Sequence, residues 1–429
     1  MASYSETLDR IYNLRGGLID LRLDRVAGTL KLFGHPERKF PSIHIAGTNG
    51  KGSTSAILQR ILSVAGYRTA LYTSPHLVSF TERIKIGDEE ITEDEVVAIA
   101  DEIWQRTSSA AIALTYFEVV TVMGFIYFAR HSSDLAIVEV GLGGRYDATN
   151  VITPLVSLIT TISKDHEAFL GTDLVAIAGE KAGIIKPGIP VVCGPLNAEV
   201  TEVFRRSAEE LGSKAYFFGA DFVFFLKNEG VFDYRGLKHH YSDLTLRLRG
   251  LHQCYNASVA LAGLEIVQDR FPVTDNAVRA GLATVLWPGR LELMLERPTV
   301  VIDGAHNGEG IQALVEALKI YRGRRIKLLF AAMSDKDWRL MLSRFDGLVS
   351  EVMFTKVAME RSADPDELAK VFAGKIATRS HPDSRAALRL LIDESALDDV
   401  IVVAGSLYLI GEIRPLLLEM AKARPKFAG

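Results

Sequence analysis

The apolar positions of this chain change period as it runs, and those changes divide it into elements. Leu8, Ile11 and Tyr12, then Leu23, Val26, Ala27 and Leu30, fall at helical spacing, which predicts helix over 5–33 with one interruption. The interruption is Arg15-Gly16-Gly17-Leu18-Ile19-Asp20-Leu21, whose paired glycines mark a turn and whose Asp20 suits the N-cap of the helix that follows. Short apolar runs at Ile43–Ala46, Thr69–Tyr72, Asp134–Gly141 and Leu155–Ile162 predict strands, the third of them buried and parallel. Helical character runs through Ser55–Ala65 and from Thr115 to Phe128. Over 215–249 the texture shifts to short β segments, Tyr216–Phe218, Phe222–Leu226, Val231–Tyr234 and Leu244–Leu248, a small antiparallel appendage. Helix returns at Leu251–Ala257, and Trp287-Pro288-Gly289-Arg290 breaks the chain, which sets a domain boundary near residue 296. Beyond it, strands at Thr299–Asp303, Ile326–Ala331, Val349–Phe354 and Val400–Ala404 alternate with helical segments near 311–318, 336–345, 365–373, 383–395 and 407–421. That rhythm predicts a doubly wound α/β domain.

A chain of 429 residues is long for one core, which agrees with two domains. A net charge of −4 leaves no basic footprint, so nucleic acid is not the expected partner. Two cysteines, Cys193 and Cys254, are too few for a disulfide framework or a four-cysteine metal site, and they suit inert thiols in a reducing compartment. No secretory pattern and no spanning apolar stretch is seen, so the expectation is a cytoplasmic protein with no membrane partner.

The stretch Ile43–Thr54 organises the chemistry. A strand runs into Gly47-Thr48-Asn49-Gly50-Lys51-Gly52-Ser53, and a helix follows. Glycines let backbone N–H groups approach an anion, and the helix start adds free donors and the positive end of its dipole. Lys51 then supplies a point charge for a terminal phosphate, and Ser53 or Thr54 a hydroxyl for a magnesium ion. The loop departs from the common phosphate-loop pattern, being shorter before the lysine and having Gly52 between Lys51 and Ser53.

Glu139 ends an otherwise apolar strand, and a buried carboxylate is either paired or binds a cation. His166 lies just past the next strand and is a ligand candidate on that ground. Ser74, held extended by Pro75, sits at a strand end where open α/β sheets place ligand groups, though a plain turn explains it as well. Thr115-Tyr116-Phe117-Glu118 is either a capping box or a functional segment. Lys181 reads from its surroundings as an ordinary solvated charge, and Asn256 either caps or binds.

These segments, in this order, resemble the folylpolyglutamate synthase and dihydrofolate synthase family of the Mur ligase superfamily over essentially the whole chain. They are G-T-N-G-K-G-S at 47–53, T-S-P-H-L at 73–77, E-V-G-L-G-G-R at 139–145, D-H-x-x-x-L-G at 165–171 and E-K-A-G-I-I-K at 180–186. H-Q-x-x-N-A at 252–257, P-G-R at 288–290, D-G-A-H-N at 303–307 and G-S-L-Y at 405–408 complete the series. The resemblance implies an N-terminal ATPase domain of the phosphate-loop type over 1–296, with a mostly parallel sheet and the β appendage. It implies a Rossmann-like glutamate-ligase domain over 297–429.

The resemblance further implies an ATP-dependent ligase that adds L-glutamate to folates, and to 7,8-dihydropteroate, through an acyl phosphate. Thr48, Asn49, Gly50, Lys51, Gly52 and Ser53 would hold the ATP phosphates, with Asn256, Arg290, Asp303 and His306 as further ATP contacts. Ser74, Glu139, His166 and a carboxylated Lys181 would ligate magnesium, as two ions. Lys51, Glu139, His166 and Lys181 would carry catalysis. Leu18, Ile19, Asp20, Thr115, Tyr116, Phe117, Glu118, Tyr146, Asp147 and Ala148 would bind the folate or pteroate, in a monomeric enzyme. Two rivals remain: a Mur-type ligase acting on a cell-wall nucleotide, and a nucleotide-driven switch or motor, which the missing basic face disfavours.

Overall fold

The computed structural model describes residues 2–14, 23–165, 171–372 and 376–423, so Leu18, Ile19, Asp20 and His166 lie outside the described residues. The chain divides into two compact units, one of residues up to 247 with 252–286, the other of 248–251 with 287 onward.

In the first unit β1 (Ser42–Ala46), β2 (Thr69–Tyr72), β3 (Ile84–Ile86), β4 (Glu89–Glu90), β5 (Leu135–Glu139), β6 (Val156–Ile159), β7 (Val191–Cys193) and β8 (Ala215–Phe217) form an eight-stranded sheet in the order 4-3-2-5-1-6-7-8. The strands from β2 to β8 pair parallel, and β3 and β4 add an antiparallel edge. The central strands β1, β5 and β6 are buried at every position, as their unbroken apolar runs require. The helix Tyr116–Arg130 is buried from Glu118 through Phe128, including both faces, because its sequence is apolar all round. It packs with Ile11, Val26, Leu30, Tyr72 and Ile103 into one core against the β2–β5 side of the sheet.

Two expectations are corrected here. Tyr216 and Phe217 belong to β8, which extends the main sheet in parallel with β7, and only β9 (Val223–Asn228), β10 (Val231–Arg235) and β11 (His240–Thr245) form the antiparallel appendage. A three-residue strand has too little periodicity to reveal its partner. Residues 287–296, placed with the first domain from the sequence, group with the second unit, because β12 (Glu292–Glu296) pairs antiparallel with β13 (Thr299–Ile302).

The second unit completes a six-stranded sheet with β14 (Ile326–Phe330), β15 (Glu351–Thr355), β16 (Ala377–His381) and β17 (Val400–Ala404), in the order 12-13-17-14-15-16. All pairs except β12–β13 are parallel; the helices Gly308–Leu318, Trp338–Ser343, Pro365–Phe372 and Ser384–Asp393 make the crossovers, and the helix Leu407–Ala423 follows the last strand. Among the described residues no helix is long and apolar enough to cross a membrane. Cys193 and Cys254 are both buried free thiols, and burial pushes Cys254 up to about 12, so neither is a ready thiolate.

Candidate active site

The carboxyl ends of β2, β5, β1 and β6 lie side by side, since Tyr72 pairs with Val138, Ile45 with Glu139 and Ala46 with Ile159. That register brings Ser74, Glu139, Gly47 and Thr160 to one edge of the sheet, the edge where parallel α/β sheets bind ligands. Gly47 (φ 146°) and Gly50 (φ 87°) turn the chain there, and the helix Lys51–Val64 begins at once. Gly50 as N-cap offers no side chain to the first-turn amides, which leaves their N–H groups facing outward at the positive end of the helix.

The loop is held from behind by hydroxyl residues that sequence reasoning missed. Thr48 N–H donates to Thr161 O (2.7 Å) and Asn49 N–H to Thr161 Oγ1 (3.2 Å), while Thr160 Oγ1 donates to Asn49 O (2.6 Å). Thr48 Oγ1 donates to Ser163 O (3.1 Å) and accepts from Ser163 N–H (3.0 Å). The amides of Thr48 and Asn49 therefore build the loop. The only sequence signal was a run of small hydroxyl residues after β6, which reads equally as a polar turn.

Glu139 is buried, and its Oε2 accepts the Ser74 N–H at 3.1 Å, so the T-S-P-H-L turn and the strand-end acid meet directly. The glycines after Glu139 permit close approach of neighbouring chain. A Cβ on Gly141 would collide with the Phe117 ring, and one on Gly144 would press on the backbone of Glu180 and Lys181. Arg145 N–H donates to Glu180 O (2.8 Å), which docks this loop onto the helix Leu174–Ala182.

That helix carries Lys181, and the structure overturns its reading as a solvated charge. Its side chain is 4% exposed, and Nζ donates to Gly47 O at 2.9 Å. Lys51 Nζ donates to the same carbonyl (3.2 Å) and to Thr48 O (3.1 Å). Burial first, and the Lys51 cation second, bring Lys181 down to about 7. An amine in that range is substantially neutral at neutral pH, the form that reacts with carbon dioxide.

The expected folate segment is both cap and packing. Thr115 and Glu118 form a reciprocal capping box, and Glu118 also pairs with Arg25 through Nε and Nη2, tying the helix Asp24–Leu32 to Tyr116–Arg130. Tyr116 stacks on Tyr12 with ring centroids 5.8 Å apart, and Tyr146 is 45% exposed beside the buried Ala148. Asp147 is turned inward: Oδ2 accepts the N–H groups of Gly141 (3.0 Å) and Leu142 (2.9 Å), and Oδ1 accepts the Thr149 N–H (3.0 Å) and the Thr149 Oγ1 hydroxyl (2.5 Å). Behind it His44, which burial and then Lys186 bring down to about 3, places Nε2 2.8 Å from Thr149 Oγ1. Because that hydroxyl donates to Asp147, the neutral imidazole donates to it. The Asp147 carboxylate thus fastens the loop that follows Glu139.

Asn256, on the helix Leu251–Val267, lies against the phosphate loop, since a Cβ on Gly50 would strike its Oδ1. In the second unit Asp303 Oδ2 accepts Leu291 N–H and Oδ1 accepts Ala305 N–H, both at 2.8 Å. His306 Nδ1 donates to Gly304 O (2.7 Å), and a Cβ on Gly304 would meet the Arg290 guanidinium. Arg290, Asp303 and His306 are thus gathered at the carboxyl end of β13.

A phosphate loop at a strand-to-helix turn, a strand-end acid and a buried lysine beside it, with a second doubly wound unit, define the Mur ligase class. Residues 45–264 match the Mur ligase middle domain, and residues 289–407 match the Mur ligase glutamate ligase domain. The dihydrofolate synthase/folylpolyglutamate synthase of Bacillus subtilis is 35% identical over 408 residues, 92% of this chain and 94% of that protein. The structure of E. coli FolC in complex with DHPP and ADP superposes with a TM-score of 0.90 at 29% identity, covering 99% of each chain. The bifunctional folylpolyglutamate synthase/dihydrofolate synthase of Yersinia pestis, complexed with AMPPNP and a Mn ion, gives 0.88 at 30% identity, covering 97% of this chain and 98% of that one. The chain belongs to the folylpolyglutamate synthase and dihydrofolate synthase family of ATP-dependent ligases.

Proposed function

We propose that this enzyme joins L-glutamate to the terminal carboxyl group of folates, and to the carboxyl group of dihydropteroate, by way of an acyl phosphate. The observation that carries the reading is the junction at Gly47, where the phosphate loop, Lys51 and Lys181 meet beside the Glu139 strand end. In this reading the first-turn amides from Gly50 to Ser53 bind the ATP phosphates, and Lys51 leaves the loop carbonyls to neutralise the phosphoryl group in flight. Asn256, Arg290, Asp303 and His306 complete the nucleotide contacts, Asp303 by shaping the turn around Arg290. Thr115–Glu118 and Tyr146–Ala148 border the folate or pteroate.

The donor set suits a hard divalent cation. Glu139 brings a buried carboxylate and Ser74 a hydroxyl, whereas no three His, Cys, Asp or Glu side chains converge among the described residues. Further oxygens would come from a Lys181 carboxylated by carbon dioxide, with His166 as a nitrogen ligand; magnesium, as two ions, is the cation we assign. Such ions would offset charge on the phosphates. The residues exclude water from the acyl phosphate and orient the glutamate amine, which attacks the activated carbon and expels phosphate.

Carboxyl-¹⁸O dihydropteroate tests the scheme. One labelled oxygen should appear in the released phosphate, because the oxygen that attacks ATP leaves with phosphorus. Phosphate free of label would overturn the acyl phosphate. Competition between folates and nucleotide-linked peptides separates this reading from a cell-wall ligase.

A further inference from the structure

The turn that carries Arg290 is bent against its own residue types. Gly289 has φ 72° and Leu291, a buried branched residue, φ 44°, so both neighbours of Arg290 sit in the left-handed region. A leucine there is strained and persists only where the surroundings over-determine it. Two carboxylates do so. Asp303 Oδ2 accepts the Leu291 N–H at 2.8 Å, and Glu292 Oε2 accepts the Gly289 N–H at 2.8 Å. The Gly289 carbonyl, so oriented, accepts from Gly304 N–H (2.8 Å) and from Arg290 Nη1 itself (3.0 Å). The guanidinium is thereby laid over Gly304, where only a hydrogen fits.

Glu292 does not hold its place alone. Arg414, from the helix Leu407–Ala423, grips it as a fork, with Nε to Oε2 at 2.9 Å and Nη2 to Oε1 at 2.8 Å, while Oε2 keeps the Gly289 N–H. Both side chains are about four-fifths buried, at 20% and 23% exposure, so the pair is screened less than a surface bridge. Deleting Arg414 leaves the largely buried Glu292 carboxylate without its guanidinium, so that it rotates toward water and releases Gly289. The strain at Leu291 then relaxes, and Arg290 loses its fixed direction.

We infer that Arg414 and Glu292 form a clamp that positions Arg290 for the nucleotide, with Arg414 acting through Glu292 and the Gly289 N–H. The inference rests on the reading of Arg290 as a nucleotide contact. Calorimetric binding of ADP to wild type, Arg290→Ala, Arg414→Met and the double variant tests it without knowledge of the acceptor substrate. Arg414→Met should weaken ADP roughly tenfold, the size of a lost charged hydrogen bond, and the double variant should bind no more weakly than Arg290→Ala alone. Arg414→Lys, with a single nitrogen in place of a planar fork, should recover part of the affinity, and it serves if Arg414→Met is poorly folded. Wild-type affinity in a destabilised Arg414→Met would reduce the pair to a structural bridge and overturn the proposal, as would a further tenfold loss in the double variant. If Arg290→Ala itself binds ADP normally, the nucleotide reading of Arg290 has failed and the clamp falls with it, a failure visible in that single variant.

Discussion

Lys51 and Lys181 share one acceptor, the carbonyl of Gly47, at 3.2 and 2.9 Å. Two ammonium groups on one carbonyl repel each other, and this is part of why Lys181 loses its proton so easily. The arrangement suits a lysine pair that separates in use, Lys51 toward phosphate and Lys181 toward a carboxylated state.

Lys51→Ala should lower glutamate-dependent ADP release by at least roughly 10²- to 10³-fold, the loss seen when one preorganised transition-state donor is removed. Its melting temperature should stay near wild type, because among the described residues the side chain bonds the loop carbonyls of Gly47 and Thr48. Near-normal turnover from the folded variant would contradict the role.

Glu139→Ala removes the carboxylate that receives the Ser74 N–H. Turnover should fall by at least about 100-fold at saturating magnesium, more than its effect on the fold explains. Steady-state kinetics over a magnesium titration checks this: a drop of less than threefold would exclude a metal role.

Lys181→Ala should be impaired and partly rescued by short carboxylic acids, which can fill the place of the missing carboxylated side chain. Mass spectrometry of native wild-type enzyme under labelled carbon dioxide, after chemical trapping, should find the added carboxyl group. An unmodified lysine in fully active, magnesium-loaded enzyme would contradict it.

Glu265, on the helix Leu251–Val267, is buried under the β10–β11 turn and accepts Lys238 N–H at 2.5 Å. Burial raises its carboxyl pKa, and the Lys238 bond opposes this only in part. The folded state therefore holds the proton to higher pH than the unfolded chain. The stability is present below the unfolded pKa of about 4.3 and is lost as pH rises through the folded value. Thermal melts of Glu265→Gln should gain on wild type between pH 4.5 and pH 8; an unchanged gap would place Glu265 in solvent.

The parallel strands and the phosphate loop were legible in sequence because each rests on a local pattern: apolar runs at β1, β5 and β6, and glycines around Lys51. What was hidden depends on contacts between distant segments. Lys181 is an unremarkable helical lysine until the packing of Gly144 on its backbone buries it. Thr160, Thr161 and Ser163 gained meaning only through the register of β1 and β6, and β8 through its pairing with β7. Asp147 carried a recognisable motif, yet only the structure shows both oxygens turned onto its own loop.

The central claim is that ATP is consumed to make an amide with glutamate on a folate-type carboxyl group. The direct measurement is ADP release with dihydropteroate and with tetrahydrofolate, each with and without L-glutamate. Sustained release should need a pteroate or folate acceptor together with glutamate, with glutamylated product equal to ADP. Steady ADP release in the absence of both would contradict the account and favour a nucleotide-driven switch.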